Sequence, residues 1–328
     1  MTLIRRRLLA AAASLTALVT LAPTAWAQAY PARPVRIIVG FPAGTGPDIV
    51  ARQLAQDLSK AWGGAGVIVD NKPGAGGLIA AQEAARAQPD GYTLMLGETG
   101  QLSIAPSSYS KLPYDPVKDF IPVSHVVSAE FALLVNPQKV PSRNVRDFVE
   151  WTKTQKGLFM ATFGAGTPGH FGAFMLGEAV TVKPEVVHYK STADALGGLF
   201  SGDVQAVFAS IGLATPNVRG GKLFALASTG PARTQALPEV PTLKEQGYSS
   251  LEFASWFGIV APARTPADIV AKLNADIVKA VSSPEAKAKY EELGFRVTGT
   301  SRDQFARIIA ADTVTWGKAV AATGFKAD

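Results

Sequence analysis

The order of elements in this sequence favours an α/β fold, in which helices cover both faces of a largely parallel sheet. Short stretches rich in valine and isoleucine alternate with helical stretches along most of the chain. Most connections are short, and three of the strand-to-helix connections are rich in glycine. This alternation is typical of parallel sheets buried on both faces. The 328 residues, 47% of them hydrophobic, suffice for one or two sizeable domains.

The first unit is a strand, a turn and a helix. Residues 36–39 are mostly β-branched and too few for a helix, which predicts a buried strand. Residues 41–47 contain two prolines and two glycines and form a turn, and helical periodicity begins at Asp48. Main-chain N–H groups at a helix N-terminus attract anions, so the turn is either an anion site or an ordinary connection. No Gly-Lys-Ser/Thr follows, which argues against a P-loop.

The remaining elements repeat this alternation, and the second half follows the plan of the first without a close sequence repeat. In the first half we predict strands at 66–69 and 92–96, a glycine-rich turn at 70–77, a helix at 78–87, a loop at 112–120 and one or two extended segments at 121–135. In the second half we predict helices at 144–153, 170–179 and 193–200, strands at 159–163, 186–189, 204–209 and 224–228, and a second glycine-rich turn at 164–169.

The C-terminal part is predicted to be helical. We place Thr265 as the cap of one helix with Pro266 at its first position, a favoured start. Ser301 and Gln304 match a capping box at the start of the last helix. We interpret the apolar stripes of both helices as core.

Residues 1–27 have the pattern of an export signal. Three consecutive arginines precede an apolar stretch at 8–21 that is too short to span a bilayer. Ala25 and Ala27 put small residues where a signal peptidase reads, so we expect cleavage after Ala27 and a location in the periplasm. A membrane anchor is the alternative, and the twin-arginine route stays open beside the Sec route.

The composition excludes several classes of function. Without residues 1–27 the 32 basic side chains fall to 29, against 26 acidic ones, so no nucleic-acid surface is expected. The absence of cysteine excludes disulfides, thiolate metal sites and a catalytic cysteine. Because the three histidines, His125, His170 and His188, are isolated in the sequence, we expect no metal ion and no cofactor.

Residues 164–169 match G-x-G-x-x-G, the dinucleotide fingerprint. In that fingerprint the acidic residue lies at the carboxyl end of the second strand. Glu185 precedes the predicted strand instead, which argues against a nucleotide. No G-x-S-x-G or H-E-x-x-H motif occurs, so no catalytic residue is predicted. His170 is either a hydrogen-bond donor to an anion or a partly buried residue of the helix start, and Lys190 either holds a carboxylate or is solvated.

The glycine-rich turns at 41–47 and 164–169 each follow a strand, and ligands of open α/β sheets bind outside the carboxyl ends of the strands. We therefore predict a cleft between the two halves. A carboxylate held there by main-chain N–H groups of both halves would draw them together.

These segments together resemble the Bug family, the periplasmic solute-binding components of tripartite tricarboxylate transporters. The resemblance runs over the whole chain after residue 27. It rests, in chain order, on FPAG at 41–44 with Asp48-Ile49, NKPGAGG at 71–77, PDGYT at 89–93, LPYDP at 112–116, GTP at 166–168 with His170, Tyr189-Lys190, LPEVPT at 237–242 and SWFG at 255–258.

The resemblance implies a two-domain fold of the type II periplasmic binding protein class, with the ligand cleft between the domains and two crossover strands as the hinge. Domain 1 would comprise residues 28–126 and 254–328, and domain 2 residues 127–253. It implies a monomer that performs no catalysis and hands a small organic carboxylate to an integral-membrane permease of the tripartite tricarboxylate type. The implied ligand-binding residues are Phe41, Ala43, Gly44, Thr45, Asp48, Glu98, Thr99, Gly166, Thr167, Pro168, His170, Tyr189 and Ser210.

The chain departs from the family pattern in its cleft. Thr45 replaces a common glycine and Pro47 a threonine, and because Pro47 lacks an N–H, anion contacts are expected to shift to the Thr45 hydroxyl. Ser210 follows Ala209 where an Asp-Asn pair is usual, and an inward Glu98 would disfavour a second carboxylate. We therefore hypothesise that the distal end of the ligand is neutral, hydroxylated or aromatic.

Two other functions are compatible with the same residues. An enzyme would need an acid–base pair converging on the cleft. A sensor partner that presents its ligand to a membrane histidine kinase would use the same fold, and the sequence does not separate it from a transport protein.

Overall fold

The computed structural model describes residues 30–189 and 192–327, so the predicted export signal and Lys190 lie outside the described residues. Residues Arg33–Asp328 group as one compact unit. Its strands are β1 (Val35–Val39), β2 (Val67–Asn71), β3 (Thr93–Glu98), β4 (Phe120–Val135), β5 (Leu158–Thr162), β6 (Pro184–His188), β7 (Ala206–Ser210), β8 (Phe224–Ser228), β9 (Ala254–Pro262) and β10 (Arg296–Val297).

Helices alternate with these strands and then dominate the C-terminal part. They are α1 (Gly46–Ala61), α2 (Leu78–Ala85), α3 (Ala105–Ser108), α4 (Val145–Thr152), α5 (Pro168–Val180), α6 (Thr192–Ser201), α7 (Ile211–Arg219), α8 (Ala267–Val281), α9 (Pro284–Glu292) and α10 (Arg302–Thr323). A π-helical segment, Gly100–Ile104, leads directly into α3. None of the described helices combines the length and the apolar composition that a membrane span requires.

All described strands belong to one sheet with two parallel parts. The strand order is β2-β1-β3-β9-β4-β7-β5-β6, and β8 and β10 each pair with β4. Strands β1, β2 and β3 are mutually parallel, as are β5, β6 and β7. Strands β4 and β9 run antiparallel to their neighbours. The predicted parallel sheet is therefore confirmed in each half and interrupted where these two strands join the halves.

Strand β4 belongs to both parts of the sheet. Its residues from Phe120 to Glu130 pair with β9, and those from Phe131 to Val135 pair with β7 and β8. The extended segments predicted at 121–135 are thus one strand of 16 residues. Because β4 leaves the first part and β9 returns to it, these two of the described strands carry the chain between the parts.

The second part of the sheet is buried on both faces. Along β4, Leu133 and Val135 join one apolar cluster, and the intervening Ala132 and Leu134 join another, because successive side chains of a strand point to opposite faces. Trp316 of α10 belongs to the first of these clusters, while the same helix packs Phe305 on the first part of the sheet. Helix α10 therefore contributes to the cores of both parts.

The predicted start of the helix after β9 is wrong. Pro266 is its N-cap residue, with a ψ of 139°, and helix α8 begins at Ala267. Thr265 instead donates its hydroxyl to the main-chain oxygen of Pro262 over 2.7 Å. The capping box at the start of α10 is confirmed, since Ser301 and Gln304 cap each other's main chain.

Candidate functional site

Two of the glycine-rich turns, the first turn at 41–48 and the second turn at 163–170, form a local repeat of eight residues. Residues 41–48 read FPAGTGPD and residues 163–170 read FGAGTPGH, so that phenylalanine, alanine, glycine and threonine recur in register. The halves of the chain show no close repeat as a whole, and this eight-residue repeat is not among the predicted features. Each turn lies at the carboxyl end of a parallel strand and leads into a helix.

The two turns share one geometry. Gly44 and Gly166 have φ values of +81° and +76°, a region that glycine adopts without strain. Gly44 donates its N–H to Asp48 Oδ2 over 2.8 Å, and Gly166 donates its N–H to His170 Nδ1 over 3.1 Å. In both cases the acceptor is the side chain four residues later. These glycine N–H groups therefore stabilise the turns themselves.

The threonines of the repeat are also equivalent. The Thr45 hydroxyl donates to Pro42 O over 2.6 Å, and the Thr167 hydroxyl donates to Gly164 O over 2.9 Å. Both residues are helix N-caps in extended conformation. The Thr45 hydroxyl, to which the sequence analysis assigns anion contacts, thus has its proton engaged within its own turn.

Asp48 anchors the first turn rather than facing the solvent. Its side chain is buried and also accepts hydrogen bonds from Arg52 Nε and Asn71 Nδ2, each over 3.0 Å. Burial alone would raise the pKa of Asp48, but the hydrogen bonds from Arg52, Gly44 and Asn71 outweigh it and hold the pKa below its usual value. Asp48 is therefore an ionised structural residue at neutral pH.

His170 has the corresponding role in the second turn. It is buried, its ring centroid lies 4.6 Å from that of His188, and Phe325 packs against its edge. Burial, and secondarily the charge of His188, lower the pKa of His170 to about 4. Since Nδ1 accepts from Gly166, the network assigns the proton of the neutral ring to Nε2.

Other main-chain N–H groups of the turns remain available. Ala43 and Ala165 occupy the same position in the repeat, both are exposed, and neither donates its N–H to another described residue. The helices that follow, α1 and α5, have 16 and 13 residues, so their N-termini carry the partial positive charge that favours anions.

A cavity of about 80 Å³ lies beside the second turn. Four predicted site residues line it, namely Phe41, Glu98, Gly166 and Thr167. The residues not predicted are Gly76, Leu78, Gly100, Ala105, Ser108, Tyr109 and Ala165. The repeat could have identified Ala165, while Ala105 and Ser108 belong to the short helix α3, which shows no amphipathic pattern, and Tyr109 follows it. Among the described residues, no lysine or arginine lines this cavity.

Glu98 is the acidic side chain of the cavity wall. It ends β3, is 7% exposed, and accepts hydrogen bonds from the N–H groups of Gly100 and Gln101 and from the Ser255 hydroxyl. Burial raises the pKa of Glu98 to about 7, against the opposing effect of these hydrogen bonds. Gly100 allows this arrangement, because a Cβ there would lie 2.5 Å from Glu98 Oε1.

The other predicted residues lie around the cavity or away from it. The Thr99 hydroxyl accepts the Trp256 N–H over 2.9 Å and so ties the end of β3 to β9. Pro168 is buried at the first position of α5. The Tyr189 side chain packs on Gly198 of α6, and Ser210 is the N-cap of α7. Along with Ala43, Gly44, Thr45, Asp48 and His170, these residues do not line the cavity.

A larger cavity, of about 150 Å³, is lined by residues of β4, β10 and the loop after β8. Its two arginines are already paired, Arg296 with Glu130 through Nε at 2.7 Å and Arg233 with Glu245 at 3.0 Å. Glu291 adds a further acidic side chain to its lining. It is therefore the weaker candidate for binding an organic anion. In the described part of the chain, no three His, Asp or Glu side chains come together as a metal site.

Comparisons with known proteins agree with this architecture. The family model described as the tripartite tricarboxylate transporter family receptor matches residues 50–325. The chain is 32% identical to protein BugT of Bordetella pertussis over 326 residues, covering 98% of each chain. MatC of Rhodopseudomonas palustris with bound malate superposes with a TM-score of 0.78 at 31% identity, covering 89% of this chain and 100% of that one. A second R. palustris protein, with adipate, gives a TM-score of 0.83 at 30% identity over 90% and 99% of the chains.

Proposed function

The chain belongs to the tripartite tricarboxylate transporter receptor family, the Bug-type periplasmic solute-binding proteins, and from that premise we propose that it captures a small organic carboxylate and delivers it to a membrane permease of the tripartite tricarboxylate type. The family is one of substrate-binding proteins and not a class of enzymes. The mature protein would begin at Gln28 and act in the periplasm as a monomer.

One observation carries the proposal: the second turn presents main-chain N–H groups beside a cavity that no lysine or arginine of the described residues lines. Ala165, Gly166 and Thr167 line the cavity, and Ala165 donates its N–H to no other described residue. Helix α5 begins at the next residue, Pro168, so its N-terminus adds to the attraction for an anion. The ligand carboxylate would be held by these groups, directly or through water.

The two strands that connect the parts of the sheet support a hinge. We place domain 1 at residues 28–126 and 254–328 and domain 2 at residues 127–253, so that one boundary lies within β4 and the other at the start of β9. The first turn belongs to domain 1 and the second turn to domain 2. A carboxylate contacting both turns would favour the closed arrangement, which is how domain closure around ligands works.

The remote end of the ligand is expected to be neutral, hydroxylated or aromatic. Glu98 lines the cavity, and among the described residues no arginine or lysine there would accept a second carboxylate. The neighbours with malate and adipate hold dicarboxylates. The test therefore includes dicarboxylates as well as acids with a neutral remote end.

The test is a thermal-shift screen of residues 28–328 with benzoate, 3-hydroxybutyrate, adipate, malate and citrate. We expect benzoate or 3-hydroxybutyrate, whose remote ends carry no second carboxylate, to raise Tm by several degrees, with unchanged ligand recovered by mass spectrometry. Strongest stabilisation by citrate would contradict the neutral remote end. No stabilisation by any acid would contradict carboxylate capture.

A crystal structure with the best acid then tests the site. We expect a carboxylate oxygen at hydrogen-bond distance from the N–H of Ala165 or Thr167, directly or through one water molecule. An acid outside this cavity, or held mainly by lysine and arginine, would overturn the assignment. Uptake of the radiolabelled acid should be lost in cells lacking either this gene or the permease, and uptake that persists without this protein would contradict delivery to a transporter.

A further inference from the structure

We propose that Glu98 takes up a proton when an organic acid enters the cavity and donates it in a hydrogen bond to the ligand, so that capture is proton-linked and strengthens as the pH falls. This inference rests on the proposed function, because it assumes that the cavity is the carboxylate site. It assigns to Glu98 a role in selecting the ligand that the main-chain groups of the turns do not have.

The geometry places Glu98 close to any ligand of the second turn. Glu98 and the turn residues Gly166 and Thr167 line the same cavity of about 80 Å³, the volume of a sphere about 5 Å across. The side chain of Glu98 is buried, and its Oε1 accepts the Gln101 N–H over 3.1 Å. A carboxylate that reaches the second turn through this cavity therefore shares it with the Glu98 carboxyl group.

No lysine or arginine among the described residues lines the cavity beside Glu98. Tyr109 lies on the cavity wall, and Tyr114 is close enough to Glu98 for their charges to interact. Asp312 accepts a hydrogen bond from Trp256 of β9, and His170 accepts one from Gly166 of the second turn. Burial keeps Tyr114 neutral by raising its pKa, and burial likewise raises the pKa of Asp312. Burial keeps His170 neutral by lowering its pKa to about 4. A second negative charge in this cavity would thus meet no cationic side chain of the described residues that could offset the charge of Glu98.

Protonation is the less costly way to admit an anion. Repulsion between two like charges about 5 Å apart, at an effective dielectric constant of about 20, would weaken the binding of the anion by more than about a hundredfold. Burial already raises the pKa of Glu98 to about 7, so a proton is readily gained at neutral pH. A protonated carboxyl group also has an O–H donor for the ligand, which an ionised one lacks.

The experiment is isothermal titration calorimetry of residues 28–328 with the acids of the screen, at pH 6, 7 and 8, each in two non-anion-competing buffers that differ in their heat of ionisation. The dependence of the heat on the buffer gives the number of protons taken up. We expect about half a proton at pH 7, close to one at pH 8, and affinity about tenfold weaker at pH 8 than at pH 6. Glu98→Gln should show no uptake and no dependence on pH.

Asp312→Asn is the matched control, since it removes a half-buried carboxyl group of raised pKa that does not line the cavity. We expect this variant to retain the proton uptake of the wild type. Binding without proton uptake in the wild type would overturn the role of Glu98 and leave the proposed function intact. If Glu98→Gln loses binding and the wild type takes up no proton, then Glu98 is ionised and pairs with a donor group of the ligand. That result also overturns this inference. If no acid binds to wild type or variant at any pH, both the proposed function and this inference are wrong.

Discussion

Gly44 donates its main-chain N–H to the carboxylate of Asp48 over 2.8 Å, and this bond closes the first glycine-rich turn. The second turn uses a bond of the same kind, from Gly166 to the imidazole of His170. The two acceptors differ in charge, since Asp48 is ionised and His170 is neutral at pH 7. Each turn is thus fixed by its own side chain before any ligand arrives.

In this arrangement, the residues that shape the turns are different from those that select the ligand. The acceptors Asp48 and His170 are buried and shape the turns, while exposed N–H groups such as that of Ala165 remain for the ligand. Main-chain groups recognise a carboxylate whatever the rest of the molecule is. Selectivity must therefore come from the cavity wall, where Glu98 is the charged residue among those described.

Asp48→Asn is expected to destabilise the first turn. The change removes the charge that strengthens the hydrogen bonds from Gly44, Arg52 and Asn71, and hydrogen bonds to charged groups contribute about 1.5–3 kcal/mol. We expect the free energy of unfolding in urea to fall by about 2 kcal/mol. Asp268→Asn, in the exposed first turn of α8, is the control and should cost less than about 1 kcal/mol. Equal effects of the two substitutions would contradict the anchoring role of Asp48.

Glu98→Gln is expected to change how stability depends on pH. The pKa of Glu98 is about 7 in the folded protein and about 4.5 in the unfolded chain. Between these values the folded protein binds more protons, so the free energy of unfolding of the wild type falls as the pH rises from 4.5 to 7. The contribution is about 3 kcal/mol.

Urea denaturation of both proteins from pH 4.5 to 8 measures this effect. Glu98→Gln should gain stability relative to the wild type as the pH rises, and the gain should level off above pH 8. Glu150→Gln, an exposed position on α4, should follow the wild-type curve at every pH. A constant difference between Glu98→Gln and the wild type would show that Glu98 has an ordinary pKa.

His170→Gln is expected to protect the protein against acid. The pKa of His170 is about 4 in the folded protein and about 6.5 in the unfolded chain, so the unfolded chain binds more protons between these values. Stability is therefore lost as the pH falls from 6.5 to 4, by about 2 kcal/mol after allowance for solvent screening. The glutamine oxygen can still accept the Gly166 N–H. His125, whose pKa burial also lowers to about 4, should leave the variant with residual acid sensitivity. If urea denaturation shows the same loss of stability below pH 6.5 in the variant and the wild type, the assignment to His170 is wrong.

The sequence predicts the alternating elements well because their periodicity is local. The strand before each turn and the helix after it follow from β-branched runs and apolar stripes, and the capping box of α10 follows from two side chains. The segment Gly100–Ser108, α7 and α9 are not predicted. Pro106 and Pro216 lie inside the first two, and proline in a helix interior is a local signal against a helix. Tertiary packing overrides that signal here.

The site is predicted in part for the same reason. The glycine-rich turns are visible as local patterns, but a pattern does not tell which N–H groups a turn keeps for itself. The partners of Gly44 and Gly166 depend on the folded position of residues four places later. Tyr189 is placed away from the cavity because Gly198 of α6 provides a surface for its ring, a contact that no local pattern reveals.

Removal of residues 325–328 is expected to weaken ligand binding, because the chain after α10 connects the second turn with the wall of the cavity. The Phe325 ring lies 4.8 Å from that of His170, between ring centroids, and the Ala327 N–H donates to Ser108 O over 2.8 Å. Ser108 itself lines the cavity. Loss of one hydrogen bond and one half-buried aromatic contact should cost about 1–2 kcal/mol in the closed form, which corresponds to a Kd about 5- to 30-fold higher.

Calorimetry with the best acid at pH 6, where Glu98 is mostly protonated, measures this effect apart from proton uptake. Phe325→Ala should reproduce most of the loss, because the packing on His170 then disappears while the Ala327 N–H is retained. Lys326→Ala is the matched control, since this exposed side chain donates a hydrogen bond to Ser107 O and does not line the cavity, and its Kd should stay within about twofold of the wild type. If the truncated protein unfolds at the wild-type urea concentration and binds with the wild-type Kd, the segment does not hold the second turn against the cavity wall.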